Sequence, residues 1–265
     1  MPGAAQEDAR DAGLIPDWTV DFNSRLCEWT SARDWVYRRR FDTPGLPEDG
    51  VVRLRFEGVD FECHVYLNGT HLGDHVGQND AFEYDVTDLL AAEGANRLVV
   101  IVEHAPEQVA QIGRTSEVRH WKARFAYNWD WCTRLVPIGI HDSVKLLVTG
   151  PAWLEDVQVD VALSDDHRLA DINVSSRVGS KQPRAVEVEV SIRREGDLVE
   201  RGRLPMIPGG LTSWVANCFI IDDPDLWWPG GYGDQALYEA EVELLWEGGV
   251  VLDRKRVRFG IRRVE

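Results

Sequence analysis

The stretch from Val51 to Gly69 constrains the fold most. In Val51 to Glu57, Val52, Leu54 and Phe56 alternate with Arg53, Arg55 and Glu57, and in Asp60 to Leu67 the apolar set is Phe61, Cys63, Val65 and Leu67. A period of two places each apolar set on one face of a half-buried strand, a pattern no helix can satisfy. The second run ends at Asn68-Gly69, the dipeptide that best tolerates the positive φ angles of a tight hairpin turn. A returning strand is predicted after it, and the chain is read as all-β.

The remaining segments extend this reading in chain order. Residues 1 to 33 lack periodicity and are rich in Asp, Gly, Pro and Ser, which reads as loop. Strands are predicted at Asp34 to Phe41, Phe82 to Val86, Asn96 to Val102 and Ser143 to Val148, with one or two helical turns near Thr87 to Ala92. The run Leu98-Val99-Val100-Ile101-Val102 is apolar on both faces, as in a strand at the middle of a sheet. Ala105 to Arg119 is a long polar connection, a length that often signals a functional loop. Gly150-Pro151 marks a boundary, giving domains 1-150 and 151-265. Beyond it, strand-like runs at Trp153 to Ala162, Ala170 to Ser175, Val186 to Ile192, Leu211 to Ile221, Leu237 to Trp246 and Val250 to Phe259 suit an immunoglobulin-like sandwich.

Charge and cysteine usage narrow the function. Lys and Arg total 29 against 45 Asp and Glu, a formal charge of −16, which argues against nucleic acid and anionic membranes and suits a neutral ligand. No run approaches the ~18 apolar residues of a membrane span. The polar, acidic N-terminus lacks the order of a secretory signal, so a cytoplasmic location is expected. Cys27, Cys63, Cys132 and Cys218 have neither zinc-ligand nor redox-dithiol spacing, and free thiols are expected, with Cys63 and Cys218 acting as small hydrophobes in strands. The histidines, among them His64, His71, His75 and His104, are expected at surface or hairpin positions rather than as metal ligands. No P-loop, dinucleotide fingerprint, nucleophile elbow or His-Glu-x-x-His occurs, and neither a metal nor a cofactor is expected. The sequons at Asn68 and Asn173 are left unassigned, the first being explained by turn chemistry.

Two aromatic segments stand out. Phe125-Ala-Tyr-Asn-Trp-Asp-Trp131 sets rings around Asp130, which fits a sugar site, where C–H faces stack on rings and a carboxylate accepts hydroxyl hydrogen bonds. It equally fits a core segment with Asp130 in a turn, and the residues alone leave both open. Leu226-Trp-Trp-Pro-Gly-Gly-Tyr-Gly233 reads as a packed loop of the second sandwich, facing a neighbouring domain, rather than as a sugar platform.

Taken in order, several strings resemble the front part of a β-mannosidase of glycoside hydrolase family 2. They are Asp34-Trp35-Val36-Tyr37, Leu54 to Asp60, Val65 to Gly69, Asp85 to Leu90, Asn96-Arg97-Leu98, Trp129-Asp130-Trp131 with Gly139-Ile140, Leu226 to Pro229, Gly231 to Gly233, Leu237-Tyr238 and Phe259 to Arg262. The resemblance implies a jelly-roll, galactose-binding-like β-sandwich followed by an immunoglobulin-like β-sandwich, with the jelly roll's first strand lying ahead of Met1. It also implies a catalytic (β/α)8 barrel beyond this chain, carrying the two glutamates of a retaining mechanism. The chain itself is then inactive and has no catalytic residue. By the same match Asp130 binds sugar hydroxyls in the −1 subsite and Trp129 positions it, the other rings of the segment serving mostly as scaffold. Cys132-Thr133, Asn128 and His141 depart from the usual Gly-Pro, Gly and Trp, which puts the sugar in question more than the family.

Three readings follow. The chain is the non-catalytic front of a hydrolase of terminal β-mannosides, or of a related β-galactosidase or exo-β-glucosaminidase, with a β-linked mannoside or other neutral sugar and its own barrel as partners. Alternatively it is an independent carbohydrate-binding module. Or it is a structural pair of sandwiches.

Overall fold

The computed structural model describes residues 2–92, 94–106, 119–209 and 213–264. These fall into two compact units, Met1–Gly45 with Val51–Val148, and Leu46–Gly50 with Thr149–Glu265.

The first unit opens with helices α1 (Ala5–Asp11) and α2 (Asn23–Cys27). Strands β1 (Trp35–Asp42), β2 (Val51–Phe56), β3 (Glu62–Leu67), β4 (Thr70–Val76), β5 (Phe82–Asp85), β6 (Ala95–Val102) and β7 (Val144–Thr149) follow. They form a four-stranded sheet, β1-β6-β3-β4, and a three-stranded sheet, β5-β2-β7. The apolar sets read from the sequence meet in one core: Val52, Leu54 and Phe56 of β2, Cys63, Val65 and Leu67 of β3, and Leu98, Val100 and Val102 of β6. Burying each such side chain stabilises the fold by roughly 1.5–3 kcal/mol. Asn68 and Gly69 turn β3 into β4 with φ of 51° and 87°, the double left-handed conformation that glycine and asparagine tolerate. The Asn68 amide also accepts from Arg97 N (2.8 Å) and donates to Leu89 O (2.8 Å), tying the turn to the neighbouring loop.

Residues 1 to 33 are not all loop. Besides α1 and α2 they contain a 3-10 turn, Glu28–Ala32, and Ala9, Ile15 and Cys27 make a small satellite core. The helices are short, and α1 buries two alanines, Ala5 and Ala9, with the polar Gln6, so no long apolar stripe announces them.

The second unit is built from β8 (Ala152–Leu163), β9 (Leu169–Ser180), β10 (Val186–Arg194), β11 (Asp197–Met206), β12 (Ser213–Asp222), β13 (Tyr238–Trp246) and β14 (Val250–Phe259). Sheets β12-β9-β8 and β11-β10-β13-β14 enclose a core of Val, Ile, Leu and Ala with Phe219, Tyr238 and Phe259. This is an all-β sandwich, as the strand spacing implies. Strand β11 has no counterpart in the sequence reading: it is an edge strand, mostly exposed on both faces and containing Pro205, and edges are where a sheet accepts proline and charge. The expected strand start at Leu211 lies outside the described residues. Cys218 corrects an expectation: it is exposed on β12 with its thiol toward Asn173 Oδ1, not a buried small hydrophobe, whereas Cys63 is buried. All four cysteines are free thiols.

Candidate functional site

The aromatic segment lies on an excursion between Arg119 and Ile140 in the first unit. The long polar connection ahead of it falls largely at 107–118, outside the described residues. Arg124–Ala126 forms a 3-10 turn, and the Tyr127 amide closes it by donating to Arg124 O at 3.1 Å. Trp129 and Cys132 pair as a single bridge, the Cys132 amide donating to Trp129 O at 3.3 Å. Asp130 and Trp131 therefore occupy the tip of a tight turn, where the side chain of each is exposed.

Three anchors hold the excursion. The first is Lys122, whose ammonium donates to Asp60 Oδ1 (2.5 Å) and Pro137 O (2.5 Å) while its side chain and that of Asp60 are 1% and 4% exposed. One cation thus fastens the outgoing limb to the returning limb and to the sandwich. Burial pushes the Asp60 carboxyl above the usual carboxylate range and the Lys122 ammonium below its usual value, and the opposite charge of the partner offsets part of each effect. A pair so placed is costly to strip of one member, because the charge left behind has no water to turn to.

The second anchor is backbone. Asp60 and Gly139 exchange both hydrogen bonds, 2.8 and 2.6 Å, and Gly3 and Ala5 donate to Ile140 O and Ile138 O at 2.8 and 2.6 Å. Gly139 sits at φ 142°, and a Cβ there would come within 2.8 Å of Gly3 O and 3.1 Å of the Tyr37 hydroxyl, so only glycine lets these segments close. The Gln6 amide adds a bond to Val136 O at 2.7 Å from α1. The third anchor is Tyr127, buried in the main core with its hydroxyl donating to Pro106 O at 2.7 Å.

Beyond these anchors the surface is aromatic. Trp131 is 70% exposed, Phe125 50% and Trp129 36%, with the two indoles 5.4 Å apart at 56°. Of the rings in the segment Tyr127 alone is buried, and Phe125, Trp129 and Trp131 stand at the surface. The arrangement is a firmly footed turn whose exposed Asp130 is flanked in sequence by two surface indoles, and such a surface can stack on sugar C–H faces and accept hydroxyl hydrogen bonds.

Sequence reasoning did not assign Lys122 and Asp60 a role. They are 62 positions apart, and nothing local distinguishes a buried lysine from the solvated kind. The only trace was the position of Asp60 at the end of the string Leu54 to Asp60. Among the described residues a single group of side chains has ligand atoms close enough to share a metal, His64, His71 and Asp74 on β3 and β4, and none of these belongs to the aromatic turn.

Residues 1–142 match the family described as glycosyl hydrolase 2 galactose-binding domain-like, and residues 152–262 match glycosyl hydrolases family 2. The chain belongs to glycoside hydrolase family 2. It is similar along its whole length to the β-D-mannosidase of Dictyoglomus thermophilum, with 33% identity and a TM-score of 0.87, while covering 34% of that chain. It is 27% identical to β-mannosidase B of Aspergillus clavatus and 28% identical to that of Thermothelomyces thermophilus, again over 100% of this chain and 32% of theirs. A putative β-galactosidase of Bacteroides fragilis matches 88% of the chain at 25% identity and a TM-score of 0.70. This family 2 chain therefore spans about a third of the length of the β-mannosidases it matches.

Proposed function

We propose that the chain is the non-catalytic front portion of a retaining exo-glycosidase that hydrolyses terminal β-mannosides. In this reading Asp130 accepts hydrogen bonds from the hydroxyls of the terminal sugar, and Trp129 fixes its direction. The two glutamates that perform the displacement belong to a (β/α)8 barrel outside these 265 residues. The observation that carries the proposal is the exposed Asp130 turn on its buried Lys122–Asp60 foot, a construction suited to holding one carboxylate at a fixed place in a site completed by another domain. The likeness to β-mannosidases at about a third of their length supports the same division of labour.

The family also holds enzymes for other sugars. The departures at Asn128, Cys132-Thr133 and His141 keep a β-galactoside or β-glucosaminide as the second choice. A panel of aryl glycosides tests the proposal on a polypeptide that carries this chain followed by a family 2 barrel. It is expected to cleave aryl β-mannoside in preference to β-galactoside and β-glucosaminide, whereas the 265-residue chain alone cleaves none. Hydrolysis by the chain alone, or a preference for another sugar, contradicts the proposal. Calorimetry of the chain against mannose and β-1,4-mannooligosaccharides is expected to show little heat, because one carboxylate with its indoles is half a site; tight binding would make it an independent carbohydrate-binding module.

A further inference from the structure

On the outer face of the four-stranded sheet, away from the aromatic turn in sequence, β3 and β4 bring three potential ligand atoms together. His64 Nδ1 lies 2.6 Å and His71 Nε2 2.7 Å from Asp74 Oδ1, and all three atoms lie within 4.8 Å of one another. The convergence depends on an irregularity in the ladder. His64 pairs with Asp74 and Val65 with Gly73, but Tyr66 pairs with His71, so the register shifts by one residue at Leu72. In a regular strand, residues three apart point to opposite faces. Here the bulge re-aims His71 to the face that carries His64, Tyr66 and Asp74, and Tyr66 packs on its ring at 4.9 Å between centroids.

The other nitrogen of His64 is committed separately. Nε2 lies 2.8 Å from Oε1 of Glu103, which follows β6, the neighbour of β3. An imidazole that turns one nitrogen to a carboxylate is oriented and made more basic at the other, the arrangement that supports histidine ligands in metal sites. His71 and Asp74 are about half exposed, which leaves the cluster open to an ion and to a water ligand.

We infer that His64 Nδ1, His71 Nε2 and Asp74 Oδ1 form a binding site for a borderline-soft divalent cation of the zinc class, with Glu103 positioning His64. Two imidazoles and one carboxylate are a donor set that zinc accepts, with water as a fourth ligand. Tetrahedral donors about 2.0–2.2 Å from zinc sit about 3.3–3.6 Å apart. The two nitrogen–oxygen contacts need to open by roughly 0.7 Å, and the separation of the imidazole nitrogens, at most 4.8 Å, closes by side-chain rotation. Bound there, the ion cross-links the two arms of the Asn68-Gly69 hairpin and moves no residue of the aromatic turn. The sequence offers no helical spacing for this site, since His71 and His75 are separated by Gly73 and lie on a strand.

Isothermal titration of the chelator-treated chain with ZnCl2, with cobalt absorption as a second readout, tests the inference. One saturable equivalent is expected. His71→Ala and Asp74→Asn, both at exposed positions that leave the core untouched, are each expected to weaken binding at least 10-fold, and His64→Ala likewise. Glu103→Gln is expected to keep the stoichiometry and lower the affinity by about 10- to 100-fold, a split that loss of folding would not produce. Cys218→Ser, which removes the exposed thiol, is expected to change nothing. The absence of a saturable site, binding that persists unchanged in His71→Ala and Asp74→Asn, or binding that depends on Cys218 overturns it.

Discussion

The two Trp-rich turns of this chain are similar in composition and differ in how they are held. In the second unit, Leu226 to Gly233 is held by three backbone bonds: the Trp227 amide donates to Ile261 O at 2.9 Å, Trp228 to Asp234 O at 2.8 Å and Tyr232 to Pro229 O at 3.0 Å. Trp227 also packs on Gly260, where a Cβ would come within 2.8 Å of its own, beneath the Arg262 guanidinium at 4.8 Å. In the first unit, Trp129 to Cys132 has one backbone bond at its neck, and its stability is supplied from below by Lys122, Asp60 and Tyr127. Both turns leave rings outside, Trp228 at 40% and Tyr232 at 82% exposure in the second unit beside Trp129 at 36% and Trp131 at 70% in the first; one is held by its own backbone bonds and the packing of Trp227, the other by a buried charge pair beneath it. Neither aromatic content nor ring exposure therefore separates the two turns. What distinguishes them is where the surrounding hydrogen bonds end.

The largest expected effect breaks the foot of the Asp130 turn. Lys122→Met leaves the Asp60 carboxylate buried without its cation, and the first unit is expected to lose about 3–5 kcal/mol of stability, read by urea denaturation with separate probes for the two units. Asp60→Asn added to it should recover part of that loss, since no lone charge remains. A loss below about 1 kcal/mol in Lys122→Met would mean the pair does not carry the turn.

Next in size is the packed turn. Gly260→Ala pushes a methyl against Trp227 and is expected to cost the second unit about 1–3 kcal/mol, leaving the transition of the first unit in place. Truncating the Asp130 turn itself should cost little. Trp131→Ala, at a side chain mostly in water, is expected to stay within about 0.5 kcal/mol of the parent; a larger loss would place Trp131 among the structural rings and erase the contrast. The smallest expected effect is chemical. Alkylation under native conditions should label the exposed Cys218 and spare Cys27 and Cys63, the latter buried with its thiol pushed up to about 12 by that burial and by the nearby Asp74 and Glu62.

Much of the architecture could be read from local pattern. The alternation in Val51 to Leu67 set the facing of β2 and β3, and Asn68-Gly69 located the hairpin, because these signals act within a few residues. Arg53 shows where such reading stops: it sits on the polar register of β2 yet is buried, bonded to Glu83 across the sheet at 2.8 Å, a fact that depends on which strand becomes the neighbour. β11 escaped notice because an edge strand needs no apolar face, and α1 because two alanines and the polar Gln6 carry its contact. At the candidate site, Asp130 and Trp129 were legible as residue types in an unusual string. Lys122 and Asp60 were not, since their meaning comes from a contact between distant segments. The bulge that brings His71 beside His64 was hidden for the same reason: register is a property of two strands together.

The proposed function has this chain lend Asp130 to a sugar site completed by a catalytic barrel. Its most direct test is kcat/KM on an aryl β-mannoside for Asp130→Ala in the full-length polypeptide carrying this chain, measured beside the unfolding of the first unit. A loss of about 1.5–3 kcal/mol in transition-state binding, roughly 10- to 150-fold in kcat/KM, is expected with stability unchanged. Unchanged kcat/KM in a variant that folds as the parent does would contradict the account.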